Sequence, residues 1–218
     1  MVFDSLARAI DSIRWPETIS ALAAVTTAVI AFCALQTWKH QDKAKKKAEF
    51  LDDLIETSHT YIAEINKPIS LLAQIKIGMR AHTPTWENGD PEDLTAKGAI
   101  AYIKKYGEID HKLLTEMQKD LQPSMVKLRS LAAKGQIFEF DNYAACQMAI
   151  QWLTWHFDRI NALISMIGNP TLNWENSEVL DTLKKVIAIE ADDMLDNIRK
   201  SNISLLEFVR ETYKQIYG

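Results

Sequence analysis

A long apolar run near the start of the chain interrupts an otherwise mixed sequence. No charged residue occurs between Glu17 and Lys39, which leaves 21 uncharged and mostly apolar residues over 18–38. As a helix rising about 1.5 Å per residue, this run is long enough to cross the roughly 30 Å core of a bilayer. Trp15 and Trp38 flank it, where aromatic rings favour the membrane interface. The pattern predicts a transmembrane helix over residues 16–38.

Two other classes of segment also contain apolar runs. A cleavable signal peptide has a basic start and a shorter apolar core, whereas residues 1–17 carry charges of both signs and the run here is longer. The remaining alternative is a buried core helix of a soluble protein, but such a helix seldom extends this far without a charge. The transmembrane interpretation is therefore preferred over a signal peptide and over a buried core helix.

A basic segment follows the apolar run at residues 39–47. It contains one aspartate and five lysines: Lys39, Lys43, Lys45, Lys46 and Lys47. Lysines beside a membrane helix favour the cytoplasmic side, so the N-terminus is predicted to lie outside. Anionic lipid headgroups are the expected partner of these lysines. Cys33 and Cys146 would then lie in lipid or in a reducing compartment and stay unpaired.

Residues 1–15 show an amphipathic helical pattern. Their apolar side chains recur at spacings of three and four: Phe3, Leu6, Ile10 and Ile13. Charged residues take the opposite face, which is typical of a helix lying in the headgroup layer. The alternative is a frayed terminus with a chance pattern.

The predicted transmembrane helix has one face of small residues. A seam with spacings of three and four runs through Ser20, Ala24, Thr27, Ala31 and Ala34 and ends at Trp38. Small side chains let membrane helices approach closely, and a repeat of 3.5 residues implies a left-handed crossing. The seam predicts packing against copies of the same helix. Chance remains the alternative, since about half of the segment is small.

Apolar residues keep helical spacing over the rest of the chain, with no alternating strand pattern. We predict helices from Lys43 to about Met79, bent or split at Pro68, and from Glu92 to Lys134, interrupted at Pro123. A third is expected over 142–167, capped by Asp141, and a fourth over 175–217, with a possible break at Ser201–Asn202. Residues 81–91 read as a loop. The sequence thus predicts an all-α fold with residues 48–218 as one antiparallel four-helix-type cytoplasmic bundle.

The third predicted helix contains no charge from Asn142 to Phe157. A helix that is apolar all round is buried, either in protein or in lipid. Sixteen uncharged residues fall short of a membrane span, so we predict the central buried helix of the bundle.

Composition and motifs offer little catalytic chemistry. Residues 48–218 contain 18 basic and 25 acidic residues, a net charge of −7, which disfavours nucleic acid as a partner. The five histidines lack the His-x-x-x-His spacing of a metal site, and no phosphate-binding loop or nucleophile motif occurs. The acidic residues over 190–196 are interpreted as a solvated helix face. We expect no metal and no cofactor, and the sequence disfavours enzyme activity without excluding it.

The predicted architecture resembles the small accessory membrane protein of type VI-B CRISPR systems. In that family a HEPN-type helical domain follows a single spanning helix, and the subunits form a pore in the bacterial inner membrane that aids phage defence. HEPN ribonucleases carry an Arg and a His that are separated by four to six intervening residues. Here Gln151 stands five positions before His156 and would replace the Arg. Loss of that cation removes a group that stabilises charge on a phosphate.

Three hypotheses for function follow. The first is a membrane effector or pore that assembles from five or more copies under the control of its helical bundle. The second is a membrane-tethered adaptor whose bundle binds a cytoplasmic protein. The third is a tethered HEPN-type ribonuclease that uses His156.

Overall fold

The structure of the chain is a computed structural model that describes the backbone of residues 15–218 and the side chains from residue 18 onward. These residues form five α-helices, a 3-10 helix at Gly135–Phe138 and no strand. The α-helices are α1 (Trp15–Ala81), α2 (Pro91–Lys134), α3 (Tyr143–Ile167), α4 (Ser177–Ile187) and α5 (Ala191–Tyr217). The predicted all-α fold is confirmed. The amphipathic helix predicted over residues 1–15, including the interfacial role of Trp15, falls outside this description and stays a prediction.

The chain divides into two compact units, residues 1–48 and residues 49–218. We call residues 18–38 of the first unit the apolar segment and the whole second unit the helical domain. Helix α1 contains the boundary between the two units.

The apolar segment is helical throughout, and each of its residues is exposed. None of its most hydrophobic 18-residue stretch is buried. By length and composition, α1 is therefore long and apolar enough to cross a membrane. The exposed large side chains here are Ile19, Leu22, Val25, Val29, Ile30, Phe32, Leu35 and Trp38.

Within the helical domain, α1 and α2 run in opposite directions. Ser124 of α2 donates a hydrogen bond to the carboxylate of Glu64 of α1. Further along α1, Gly78 faces the ring of Tyr102, which lies earlier in α2. A later residue of α1 thus meets an earlier residue of α2, as short connections between neighbouring helices require.

Helices α2 and α3 are also antiparallel. The Tyr143 hydroxyl at the start of α3 donates to the Leu131 carbonyl oxygen near the end of α2, at 3.2 Å. The His111 imidazole lies 3.0 Å from the Ile164 carbonyl oxygen, near the end of α3. These two contacts hold the ends of the helices in register.

Helix α5 returns along α1 in the opposite direction. The Tyr213 hydroxyl donates to the Asp52 carboxylate at 2.6 Å, and Lys76 Nζ donates to the Ile189 carbonyl oxygen at 2.7 Å. The apolar faces of the four long helices meet in one core, which includes Leu54, Leu114, Leu153 and Leu205. At roughly 1.5–3 kcal/mol for each buried large apolar side chain, this core is the main stabilising contribution.

The predicted break at Pro123 is wrong, because α2 continues through it. A proline removes the hydrogen bond to the carbonyl oxygen four residues earlier, here that of Lys119. Both Pro123 and Lys119 are exposed, so water can solvate that oxygen. Helix α1 likewise continues through Pro68, and the predicted split there is wrong.

The fourth predicted helix is broken at residues 188–190, and not at Ser201–Asn202. Ser201 is buried, and its small side chain lies beside α3. An unbroken helix at that point keeps this side chain packed in the domain. At the actual break, Lys76 bonds the Ile189 carbonyl oxygen and holds the turn. The predicted cap by Asp141 is also wrong, since Asn142 is the N-cap residue of α3 and its side chain makes no capping hydrogen bond.

Candidate functional site

The predicted seam lies on an unbroken stretch of α1. Because that stretch is α-helical, the spacings of three and four place its members on one stripe. Every member of the seam is exposed: Ser20, Ala24, Thr27, Ala31 and Ala34. Leu22 and Val29 project from the opposite side, since they lie roughly half a turn away. The apolar segment therefore has one flat face and one bulky face.

Thr26 and Thr27 of the apolar segment bond to their own helix. The hydroxyls of Thr26 and Thr27 donate to the carbonyl oxygens of Leu22 and Ala23, each at 2.8 Å. A donor that is satisfied within its helix has little to gain from a neighbouring helix. Close approach at the seam therefore depends on the small size of the side chains.

The basic segment 39–47 continues the same helix. Lys39 and Lys43 are exposed, and Lys46 forms an ion pair of 2.7 Å with Asp42. One of the five lysines thus offsets the only carboxylate of the segment. With its five lysines, Lys39, Lys43, Lys45, Lys46 and Lys47, against one aspartate, the segment has a net charge of +4.

The structure does not bring His156 and Gln151 together on one surface. His156 is 0% exposed, and neither ring nitrogen has a hydrogen-bond partner. Burial, with a smaller contribution from Arg159, lowers the pKa of this imidazole to about 4, so it is neutral at pH 7. Gln151 is exposed on the outer surface of α3, whereas the imidazole faces the interior of the domain. This arrangement offers an RNA phosphate no access to the imidazole.

Helix α3 carries an exposed apolar ridge that the sequence did not predict. Met148 is 59% exposed, Trp152 48% and Trp155 41%, so the prediction that α3 is buried on all sides is wrong. The two indole rings meet edge to face at 5.2 Å, and the Arg159 guanidinium lies 4.6 Å from the Trp155 ring. These contacts hold the aromatic side chains in place. The only signal in the sequence was the charge-free run itself.

A cleft lies on each side of this ridge. The cleft between α3 and α5 has a volume of about 360 Å³, and the cleft between α2 and α3 about 570 Å³. Both have small residues among their lining, namely Ala145, Ala149, Ser201 and Ser204 in the first and Ala132 and Ala133 in the second. The surface of α3 therefore alternates between a ridge and hollows.

A third cleft, of about 540 Å³, is lined by charged side chains at the other end of the domain. Its charges are largely paired, since Arg80 lies 2.7 Å from Glu190 and Lys184 lies 2.6 Å from Asp93. Within the part of the chain that the structure describes, no three His, Cys, Asp or Glu side chains group as metal ligands. The expectation of no metal and no cofactor stays a prediction.

The chain was compared with protein-family models, with curated proteins and with solved structures, and none of them matches it.

Proposed function

We propose that this chain is a single-pass membrane protein that assembles with copies of itself through the apolar segment. The observation that carries the proposal is the complete exposure of residues 18–38. Such a surface is unfavourable in water at about 25 cal/mol per Å² and favourable in lipid. A core helix of a soluble protein would be mostly buried, and this window is not buried at all.

The unbroken helix also argues for a retained anchor. A cleavable signal is removed at a small-residue site after its apolar core. In this chain α1 extends without interruption from Trp15 to Ala81. A retained apolar segment, followed by the basic segment 39–47, favours an N-terminus outside and a helical domain in the cytoplasm of a bacterial inner membrane. The lysines of the basic segment would then bind anionic lipid headgroups.

Assembly through the seam gives a membrane effector. Small side chains let neighbouring helices pack closely, while the bulky face turns to lipid. A ring of five or more copies leaves a central lumen, and the helical domain, as an antiparallel four-helix-type bundle of HEPN-like form, controls its opening. The resemblance to the CRISPR accessory family supports a pore that acts in phage defence.

The test combines the absolute mass of the detergent-solubilised full chain with leakage from liposomes. We expect a discrete species of five or more subunits that releases a trapped dye. In the double variant Ala24→Leu/Ala31→Leu, bulky side chains fill the seam, so assembly and leakage should be lost. The double variant Val25→Leu/Val29→Leu adds apolar bulk to the other face and should behave as the wild type. A monomeric or dimeric wild type would overturn the pore.

A membrane-tethered adaptor is the second candidate, and the exposed ridge of α3 is the observation that favours it. An exposed apolar patch with paired tryptophans is typical of a docking site for another protein. In this case residues 1–38 serve only as an anchor. If these residues are exchanged for an unrelated membrane helix, the change in membrane permeability that the protein causes in the cells that produce it should then be preserved. Loss of that effect, measured as membrane permeability, would count against the adaptor.

A further inference from the structure

The exposed ridge of α3 has the geometry of a self-complementary contact. Its side chains, Met148, Trp152 and Trp155, follow spacings of four and three and so stand in one row. The small residues Ala145, Ala149 and Ser201 line the hollow beside this row. Helices pack when the ridge of one enters the groove of another. One surface that presents both elements can pair with its own copy about a two-fold axis.

The charge pattern permits a second copy at this surface. The helical domain has a net charge of −7, so two copies repel each other over most of their surfaces. The run from Asn142 to Phe157 is uncharged and removes that repulsion locally. At its margins, Lys200 lines one cleft and the Arg129–Asp158 ion pair, at 2.7 Å, lines the other. Charges of both signs at the rim let like surfaces meet without a net penalty.

We propose that the ridge of Met148, Trp152 and Trp155 binds the same surface of a second copy of this chain, forming a two-fold pair of helical domains.

The exposed area limits the strength of this pair. The three side chains expose roughly 300 Å² per copy, taking about 250 Å² for a whole tryptophan side chain. Stable interfaces bury about 800 Å² per partner, so the ridge and its clefts form a weak contact between free domains. Attachment to one membrane raises the effective concentration to the millimolar range, at which a weak contact is populated. In this respect the inference rests on the membrane anchor of the proposed function.

Symmetry separates the pair from the pore. A closed ring of five or more subunits requires head-to-tail contacts, whereas the ridge contact joins identical surfaces. The same ridge therefore cannot serve both neighbours of a subunit in the ring.

The experiment is disulfide trapping in the full-length chain. The native thiols are removed by Cys33→Ser and Cys146→Ala, and a single thiol is introduced by Met148→Cys. The matched control is Ile109→Cys, which places a thiol at a residue of similar exposure, 62%, on α2. In membranes oxidised with copper phenanthroline, we expect several-fold more cross-linked dimer from Met148→Cys than from Ile109→Cys. Equal yields from the two positions would overturn the pairing.

A second variant tests the same contact by adding a charge to the ridge. Trp152→Glu, introduced beside Met148→Cys, brings two like charges together across the two-fold axis and should abolish the dimer. Val126→Glu places the same charge on α2 at a site that is 52% exposed and should leave the dimer intact. Circular dichroism and thermal unfolding of each variant establish that it is folded. A dimer that survives Trp152→Glu would contradict the proposal.

The outcomes distinguish this pair from the proposed pore. A ring of normal mass with no preferred Met148→Cys cross-link would disprove the pair and leave the pore standing. A preferred cross-link in a chain that never exceeds a dimer would disprove the pore and leave the pair standing.

Discussion

The Tyr61 hydroxyl donates a hydrogen bond of 2.9 Å to the backbone carbonyl oxygen of Leu153. Both residues are fully buried, and they join α1 to α3 across 92 positions of the sequence. Burial raises the pKa of this phenol well above its ordinary value, so the hydroxyl stays protonated and able to donate at neutral pH. This bond fixes the position of α3 along the axis of α1.

Replacement of Tyr61 by Phe tests that contact. The variant keeps the ring and removes one buried hydrogen bond, which should lower the free energy of unfolding by about 1–2 kcal/mol. Urea unfolding of the detergent-solubilised chain, followed by near-UV circular dichroism, measures the change. Tyr217→Phe is the control, because that side chain is exposed and its hydroxyl is not buried. Equal midpoints for the two variants would contradict the prediction.

Gly98 is predicted to be intolerant of alanine. A Cβ atom there would lie 2.7 Å from the backbone of Thr83, which cannot move aside as a side chain could. Alanine gains about 1 kcal/mol over glycine inside a helix, but overpacking costs about 1–3 kcal/mol, so Gly98→Ala should destabilise the protein. At Gly89 the nearest atom would be 3.6 Å away, and Gly89→Ala should leave thermal unfolding unchanged. A more stable Gly98→Ala would show that the α1–α2 connection can shift.

The ion pair of Lys76 and Glu190 is predicted to stabilise the break between α4 and α5. Lys76 is 7% exposed and lies 2.7 Å from Glu190. Hydrogen bonding by Lys76 lowers the pKa of Glu190, so this stability is present above the ordinary pKa of 4.5 and is lost as the pH falls below it. Glu190→Gln should cost about 1 kcal/mol at pH 7, since Glu190 itself is half exposed.

The control for Glu190 is Glu211, which accepts hydrogen bonds from Lys214 and Arg210. All three of these side chains are exposed, so Glu211→Gln should leave the urea midpoint unchanged. If Glu190→Gln also leaves the urea midpoint unchanged, burial of the Lys76 ammonium group does not depend on the Glu190 carboxylate.

His156 is predicted to make the protein sensitive to acid. Its pKa is about 4 in the folded chain against 6.5 for an ordinary histidine, so the unfolded state binds the proton more tightly. Stability is therefore complete above pH 6.5 and falls as the pH drops towards 4, by about 2 kcal/mol at pH 5. His156→Leu should remove this part of the loss. The comparison is thermal unfolding at pH 7 and pH 5, with His59→Leu as an exposed control that keeps the wild-type loss.

Much of the helical framework could be predicted from apolar periodicity. The third helix, predicted over 142–167, is found at Tyr143–Ile167, and its C-terminal end carries a local signal in Gly168 after the last turn. The errors concern positions where distant contacts decide. Pro123 stays within α2 because it faces solvent, and the break at 188–190 depends on Lys76, more than a hundred residues away. Local sequence contains neither piece of information.

The candidate surfaces divide in the same way. The seam could be predicted because spacing along one helix determines which side chains share a face. The α3 ridge could not, because an uncharged helix is apolar all round and its sequence does not show which side the other helices leave open. The pattern around His156 suggested a pair with Gln151, yet burial depends on the packing of α3 in the domain and places the two side chains apart.

The two cysteines turn the unmodified chain into a reporter of its own state. Cys146 is fully buried, and burial raises the pKa of its thiol to about 12, so almost no thiolate exists in the folded domain. The rate at which a maleimide modifies Cys146 therefore measures how often the core opens. Cys33 is exposed on the apolar segment, so its labelling by a water-soluble maleimide reports water at that depth. Two labelling rates from one sample would thus separate unfolding of the domain from hydration of the apolar segment.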